Sequence, residues 1–170
     1  MSSSGTSGAD APAAFHDLVA GLDYPMAIVT AAAGGERSGC LVGFVTQCSI
    51  HPPRYLVCVS GANHTHAVAA RADALGIHVL DVGDAGLAEV FGELSGDTVD
   101  KLSLVGWRPG PLGVPLLDDA AGWFVGRVLD RHELGDHTGF VVEPVAADRR
   151  RWRGQLGYQA VRSLPPGHPA

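Results

Sequence analysis

Four small or polar residues, Gly43, Thr46, Gln47 and Ser49, interrupt an apolar, strand-like run that begins at Gly39 and stops at Pro52-Pro53. A buried strand has no use for them. A flat polar ligand lying along the backbone does, because glycine bares the main chain and the polar side chains add hydrogen bonds. Contacts to such a ligand are therefore expected from Gly43, Phe44, Val45, Thr46, Gln47, Cys48 and Ser49. A second group lies in Ser60-Gly61-Ala62-Asn63-His64-Thr65-His66, where a strand-like run ends and a helix begins. Asn63 is a good N-cap, and the open amides of Ala62, Asn63 and the first turn, with the Thr65 hydroxyl, form either a seat for an anion or a plain cap. His64 and His66 stand two apart, which separates them on a helix and argues against a shared metal. One of the two, with His66 as the candidate, is expected instead to contact the anion or the edge of the ligand. A third group is Gly135-Asp136-His137, a turn in which Asp136 can orient an imidazole and His137 can donate to a ligand oxygen, or else a bare turn with a solvent-facing histidine. His78, inside an apolar run, reads as a pocket residue or as a satisfied core histidine.

The elements that must hold these groups follow from hydrophobic spacing. Phe15, Leu18, Val19 and Leu22 recur at helical intervals, giving a short amphipathic helix over 12–22. The runs 26–33 and 37–46, parted by Gly34-Gly35, read as a hairpin. A strand over 54–60, a helix over 64–72, a strand over 75–80 and a helix over 85–91 capped by Asp84 come next. Residues 93–112 read as irregular, with Pro109, Gly110 and Pro111 as breakers. Strands over 122–134 and 138–145 meet at Gly135-Asp136-His137. Trp107, Trp123 and Phe124 read either as shields for a ring or as core and subunit contacts. Six or seven strands without a βαβ rhythm and without a repeat favour an antiparallel barrel over a parallel sheet.

The run Gly39-Cys40-Leu41-Val42-Gly43-Phe44-Val45-Thr46-Gln47-Cys48-Ser49-Ile50-His51-Pro52-Pro53 resembles the signature of the flavin reductase-like, FMN-binding split-barrel family, roughly Gly-x-Thr-x-Ser-Ser-Phe-x-Ser-x-Ser-x-Asp-Pro-Pro. Gly135-Asp136-His137 matches the family's Gly-Asp-His, Gly76-Ile77-His78-Val79-Leu80 stands where it has Ala-Val-Asn-Val-Leu, and Asp100-Lys101-Leu102 where it has Asp-Lys-Phe. Leu41, Gly43, His51 and His78 depart from that pattern. The likeness spans about residues 24 to 146. It implies a mainly β fold, an antiparallel six- to seven-stranded split barrel of Greek-key type with short peripheral helices. It also implies a homodimer and a hydride transfer from NADH or NADPH to FMN or FAD, with His137 beside the flavin and near the nicotinamide. Amides along Gly43 to Ser49 would hold the ring edge and stabilise the charge that develops on the reduced ring. The reduced flavin would then serve a separate monooxygenase. Two other readings stand beside this one: a flavin- or deazaflavin-dependent reductase acting directly on a small organic substrate, and a non-catalytic flavin-binding protein.

Composition removes several other classes. With 170 residues, one domain over 12–148 is expected, preceded by a Ser/Gly-rich disordered segment over 1–11 and followed by a C-terminal extension over 149–170. A net charge of −6 argues against nucleic-acid and anionic-membrane binding. The basic run Arg149-Arg150-Arg151-Trp152-Arg153 reads as a surface segment whose arginine stems pack on the barrel. Cys40, Cys48 and Cys58 lie in apolar runs with no Cys-x-x-Cys spacing, so they read as reduced, and with no signal-like start the expected location is the cytoplasm. No Gly-x-Gly-x-x-Gly, phosphate-binding loop or Gly-x-Ser-x-Gly elbow occurs. A mean hydropathy of +0.14 hints at apolar surface covered by another subunit.

Overall fold

The computed structural model describes residues 10–167; most of the expected N-terminal disordered segment, residues 1–9, lies outside them. Among the described residues nine strands form, seven of them in one antiparallel sheet ordered β2-β1-β5-β8-β9-β4-β3. They are β1 (Ala27–Ala33), β2 (Glu36–Val42), β3 (Val45–Ser49), β4 (Arg54–Ser60), β5 (Ala74–Val79), β8 (Gly122–Glu133) and β9 (His137–Arg149). The other two, β6 (Trp107–Pro109) and β7 (Pro115–Leu117), pair only with each other. Helix α1 (Ala11–Ala20) precedes the strands, α2 (His64–Ala69) and α3 (Ala85–Glu93) lie between them, and α4 (Tyr158–Val161) follows them.

The β1–β2 hairpin closes on Gly34-Gly35, both at positive φ (58° and 81°), the two-residue turn whose twist matches paired strands. The expected single strand over 37–46 is two strands: β2 ends at Val42, Gly43-Phe44 break the run, and β3 leaves to pair with β4 instead. That break leaves β2 and β3 as the two ends of the sheet, each paired on one side only. The sheet curls until β2 touches β4. This gap positions the site.

Alternation along β1 shows why the sheet curls. Ala27, Val29 and Ala31 point inward with Val57, Val59, Leu75, Ile77, Phe140 and Val142, and α2 adds Val68 and Ala69 to that core. Met26 and Ile28 point outward into a second core with Leu80, Phe91, Leu102, Leu117, Leu156 and Val161. Both faces of β1 are thus buried, and each fully buried Ile, Leu or Phe contributes about 1.5–3 kcal/mol.

The residues after Asp148 belong to this second core. Leu156 pairs by backbone with Met26 and Leu80 (both 2.9 Å), and Leu156 and Val161 are buried. Arg151 and Arg153 reach the buried Asp81, and Arg151 also pairs with the buried Asp84. Asp84 is not the cap of α3 that the sequence predicts. Its carboxylate accepts instead from the amides of Asp81 (3.0 Å) and Ala121 (3.1 Å), and Asp81 caps the short 3-10 turn Val82–Asp84. Burial pushes the Asp81 carboxyl up, but hydrogen bonds from the Gly83 and Arg153 amides and the two guanidinium charges outweigh it and leave its pKa below the ordinary value.

His78 is a core residue. Its Nδ1–H donates to the Ile28 carbonyl (3.1 Å) and its Nε2 accepts from the Leu117 amide (3.0 Å), a pair that only the neutral ring can make. Burial lowers its pKa from 6.5 to about 4. Between those values the unfolded chain binds the extra proton, so stability is complete above pH 6.5 and falls as pH drops toward 4, by about 3 kcal/mol at 1.36 kcal/mol per unit. A thermal melt at pH 7 and at pH 4.5 is expected to show this drop, and His78→Gln to flatten it; an equal pH slope in the variant would locate the effect elsewhere.

Candidate functional site

The break at Gly43-Phe44 opens a cavity of about 180 Å³ between the outer edge of β2, β4 and the C-terminal helix α4. One wall is a row of rings. Tyr158 stacks on Tyr24 (4.6 Å, 15°), Tyr24 meets Phe44 (5.9 Å, 53°), and Phe44 meets His137 (5.2 Å, 48°). Ser60, Asn63, Cys40 and Cys58 also line it, with Met26, the last β2 residues Leu41 and Val42, and Gly43. Phe44 is fixed by its carbonyl, which accepts from the Cys58 amide at 2.9 Å. Gly43 is a close-approach position: a Cβ there would come within 2.5 Å of the Tyr24 ring and 3.2 Å of Met26 Sδ. His137 and Asp136 form a pair, Nδ1 to Oδ1 at 2.7 Å, and the hydrogen bond from His137, followed by its charge, holds the Asp136 carboxyl below the ordinary range. With Nδ1 so engaged, Nε2 is the atom His137 has left for a ligand.

Electrostatics limit what this cavity can do. Burial pushes the Cys40 thiol up to about 11 and raises Cys58 as well, so neither is a thiolate nucleophile near neutral pH. Burial, with Tyr158 adding to it, raises the Tyr24 phenol. Among the described residues no cluster of histidines, cysteines and carboxylates could hold a metal ion. Aromatic walls, neutral thiols and the unpaired edge of a strand suit the binding of a flat ring with polar edges, and the chemistry would be the ring's own.

A second cavity, of about 300 Å³, lies at the other end of β2, lined by Arg37, Ser38, Gly39, His64 and the segment 96–102. Consecutive residues of β2, Gly39 then Cys40, and of the α2 start, Asn63 then His64, line one cavity and then the other, so the two run end to end along the open edge. Charge concentrates at this end. Lys101 is 5% exposed and donates to the Phe91 carbonyl (2.9 Å); burial lowers its pKa, and Cys40 opposes that shift. Arg37 lies over the Trp107 ring at 4.7 Å, and His64 pairs with Asp97 at 2.9 Å.

Of the residues singled out from sequence, Gly43, Phe44, Asn63 and His137 meet in the ring-lined cavity. Asn63 caps α2 through the Thr65 amide at 2.9 Å. Thr65 itself is buried, its hydroxyl paired with Ser38 at 2.8 Å, so it faces the groove only through Ser38. His66 pairs with Thr138 at 2.8 Å, and Ala62 is exposed. Val45 opens β3; Thr46, Gln47 and Cys48 are exposed along that strand, with Ser49 at its bulge, and none of these five lines either groove cavity. Sequence reasoning missed Tyr24 and Tyr158, which sit near opposite ends of the chain with no spacing to join them, and Lys101, whose motif was visible but carried no site signal.

Comparison with known proteins gives a consistent result. The family model described as flavin reductase like domain matches residues 19–163. FMN reductase (NADH) RutF of Methylorubrum extorquens is 33% identical over 156 residues, covering 90% of this chain and 75% of that protein. The reductase component of 4-nitrophenol 4-monooxygenase/4-nitrocatechol 2-monooxygenase from Rhodococcus opacus is 30% identical over 152 residues, covering 86% and 80%. Among solved structures, a flavin reductase domain protein from Arthrobacter sp. FB24 superposes with a TM-score of 0.80 at 24% identity, covering 94% of this chain and 96% of that one, which shows the shared fold.

Proposed function

The chain belongs to the flavin reductase-like family, and from that premise we propose that it is an NAD(P)H-dependent flavin reductase, with NADH as donor and FMN, or FAD in its place, held in the groove along β2. The observation that carries this reading is the groove's two-ended character: stacked aromatic rings and the free edge of β2 at one end, Lys101, Arg37 and Ser38 at the other. A flavin mononucleotide has the same two ends. The space left at Gly43, where a Cβ would strike Tyr24, is the local test of fit.

In this reading the outward amides of β2 and of Gly43-Phe44 hold the polar edge of the ring, and Tyr24 and Phe44 exclude water from it. Lys101, with ammonium protons beyond the one given to Phe91, and Arg37 hold the phosphate. Asp136 fixes the His137 ring so that Nε2–H or its lone pair is presented at the mouth, where the nicotinamide arrives. When bound, the flavin supplies two-electron chemistry, accepting a hydride and passing electrons on. The relative from Rhodococcus, a monooxygenase reductase component, supports release of reduced flavin to a separate monooxygenase. The curled sheet would be the family's split barrel, and the exposed Phe15, Leu18 and Leu22 of the α1 region support a homodimer in which they are covered. Three free cysteines fit a reducing cytoplasm, and no helix among the described residues is long and apolar enough to cross a membrane.

His137→Ala tests the assignment of roles. Anaerobic stopped-flow reduction by NADH is expected to slow about tenfold or more, with FMN affinity held within a factor of about three, because the side chain positions the donor and not the ring. Unchanged reduction would remove His137 from the site.

A further inference from the structure

We propose that the mouth of the ring-lined cavity, built by Phe44 and the His137–Asp136 pair, is a seat for the oxidised, cationic nicotinamide, so that NAD+ restrains the enzyme that makes it. Resting on the flavin reductase reading, this seat adds a regulating ligand to it. Phe44 is the one exposed residue among those that line this cavity, with 53% of its surface open. It is held there, because its carbonyl accepts from the Cys58 amide at 2.9 Å. Tyr24 and His137 meet it at 53° and 48°, so neither lies flat over a face of the ring. A phenyl ring fixed in water at the entrance to a binding cavity is a platform for a flat guest.

The charges at this mouth choose between the two forms of that guest. Giving up a hydride to the flavin turns the donor's neutral dihydropyridine ring into a pyridinium cation and leaves the rest of the dinucleotide as it was. The face of a phenyl ring attracts a cation through its quadrupole, and has no such preference for the neutral ring. His137, which touches Phe44 at 5.2 Å, carries the Asp136 carboxylate on its Nδ1 at 2.7 Å, and that side chain is 85% exposed. The hydrogen bond from His137 keeps Asp136 ionised. No lysine or arginine lines this cavity to oppose it; Arg37 and Lys101 line the other one. Ring and carboxylate together therefore hold the product ring more tightly than the donor ring. A falling ratio of NADH to NAD+ slows flavin reduction before NADH itself runs out.

The test measures initial rates of FMN reduction by the full chain at saturating FMN. NADH and NAD+ differ only in the nicotinamide, so comparing them isolates the seat of that ring. NAD+ is expected to compete with NADH, with a Ki at or below the KM for NADH. Phe44→Leu keeps an apolar side chain without the quadrupole, and is expected to raise Ki about fivefold and KM no more than about twofold. Asp136→Asn is expected to raise the ratio of Ki to KM about threefold at low salt and by less at about 0.5 M salt. A loss of packing alone would move Ki and KM together. A Ki about tenfold or more above KM, or equal fold-changes in Phe44→Leu, would overturn the proposal and leave the reductase reading standing. So would a change of oligomeric state in that variant, which would mean that a second copy covers the ring. FMN that NADH does not reduce would overturn both.

Discussion

Gly43→Val is expected to raise the Kd for FMN about 100-fold, a loss of about 2.7 kcal/mol of binding, while the protein stays folded. The new Cβ falls 2.5 Å from the Tyr24 ring, and that ring cannot retreat freely because Tyr158 is stacked behind it at 4.6 Å. Tyr24 must therefore move toward the cavity, or the Tyr24–Tyr158 stack must open, and the two methyl groups of valine occupy space the ligand needs. Overpacking of this kind costs roughly 1–3 kcal/mol where the surroundings are rigid. Gly43 is only partly buried and follows the last residue of β2, so the strain remains local. Fluorescence titration with FMN, alongside a circular dichroism melt, measures both halves. Gly43→Ala should fall between the two. Wild-type affinity in the valine variant would show that the ring lies somewhere other than beside Gly43.

Asp84→Ala is expected to lower the stability by about 3–5 kcal/mol and the melting temperature by roughly 10 °C or more. One carboxylate here satisfies two buried amides, of Asp81 and Ala121, and the Arg151 guanidinium. Alanine strands all three. Arg151 is about a third exposed, which lets water take up part of its charge, so the amides carry much of the loss. Because the same cluster ties down the chain after Asp148, the variant should also expose that segment to proteolysis near Arg151–Arg153 before the core unfolds. Asp84→Asn keeps an acceptor and should recover part of the loss. A melting temperature within about 2 °C of wild type would mean that the chain end is held by Leu156 and Val161 alone.

The local parts of the fold and site were legible because their signals are local. Gly34-Gly35 between two β-branched and small-residue runs states its hairpin, Asn63 states its cap, and Gly135-Asp136-His137 states the turn that delivers His137. What sequence reasoning missed depends on partners far along the chain. The run 37–46 contains no Pro or paired Gly that would mark a stop, and only the competition between β1 and β4 for its two halves breaks it at Gly43. Tyr24 and Tyr158 become neighbours only once Leu156 has paired with Met26 and Leu80. Thr65 looks like a free hydroxyl until Ser38 arrives from β2, and Asp84 looks like a helix cap until Ala121 and Arg151 claim it. β6 and β7 are three residues long and contain prolines, so no periodicity marks them.

In the proposed function, the groove along the free edge of β2 seats a flavin where a nicotinamide can reduce it. Anaerobic mixing of the FMN-loaded protein with NADH, followed through the visible flavin absorbance, tests that directly. The band is expected on the protein after removal of free FMN, and it is expected to bleach on addition of NADH. A protein that retains no FMN, or one whose bound flavin keeps its colour with both NADH and NADPH, would contradict it.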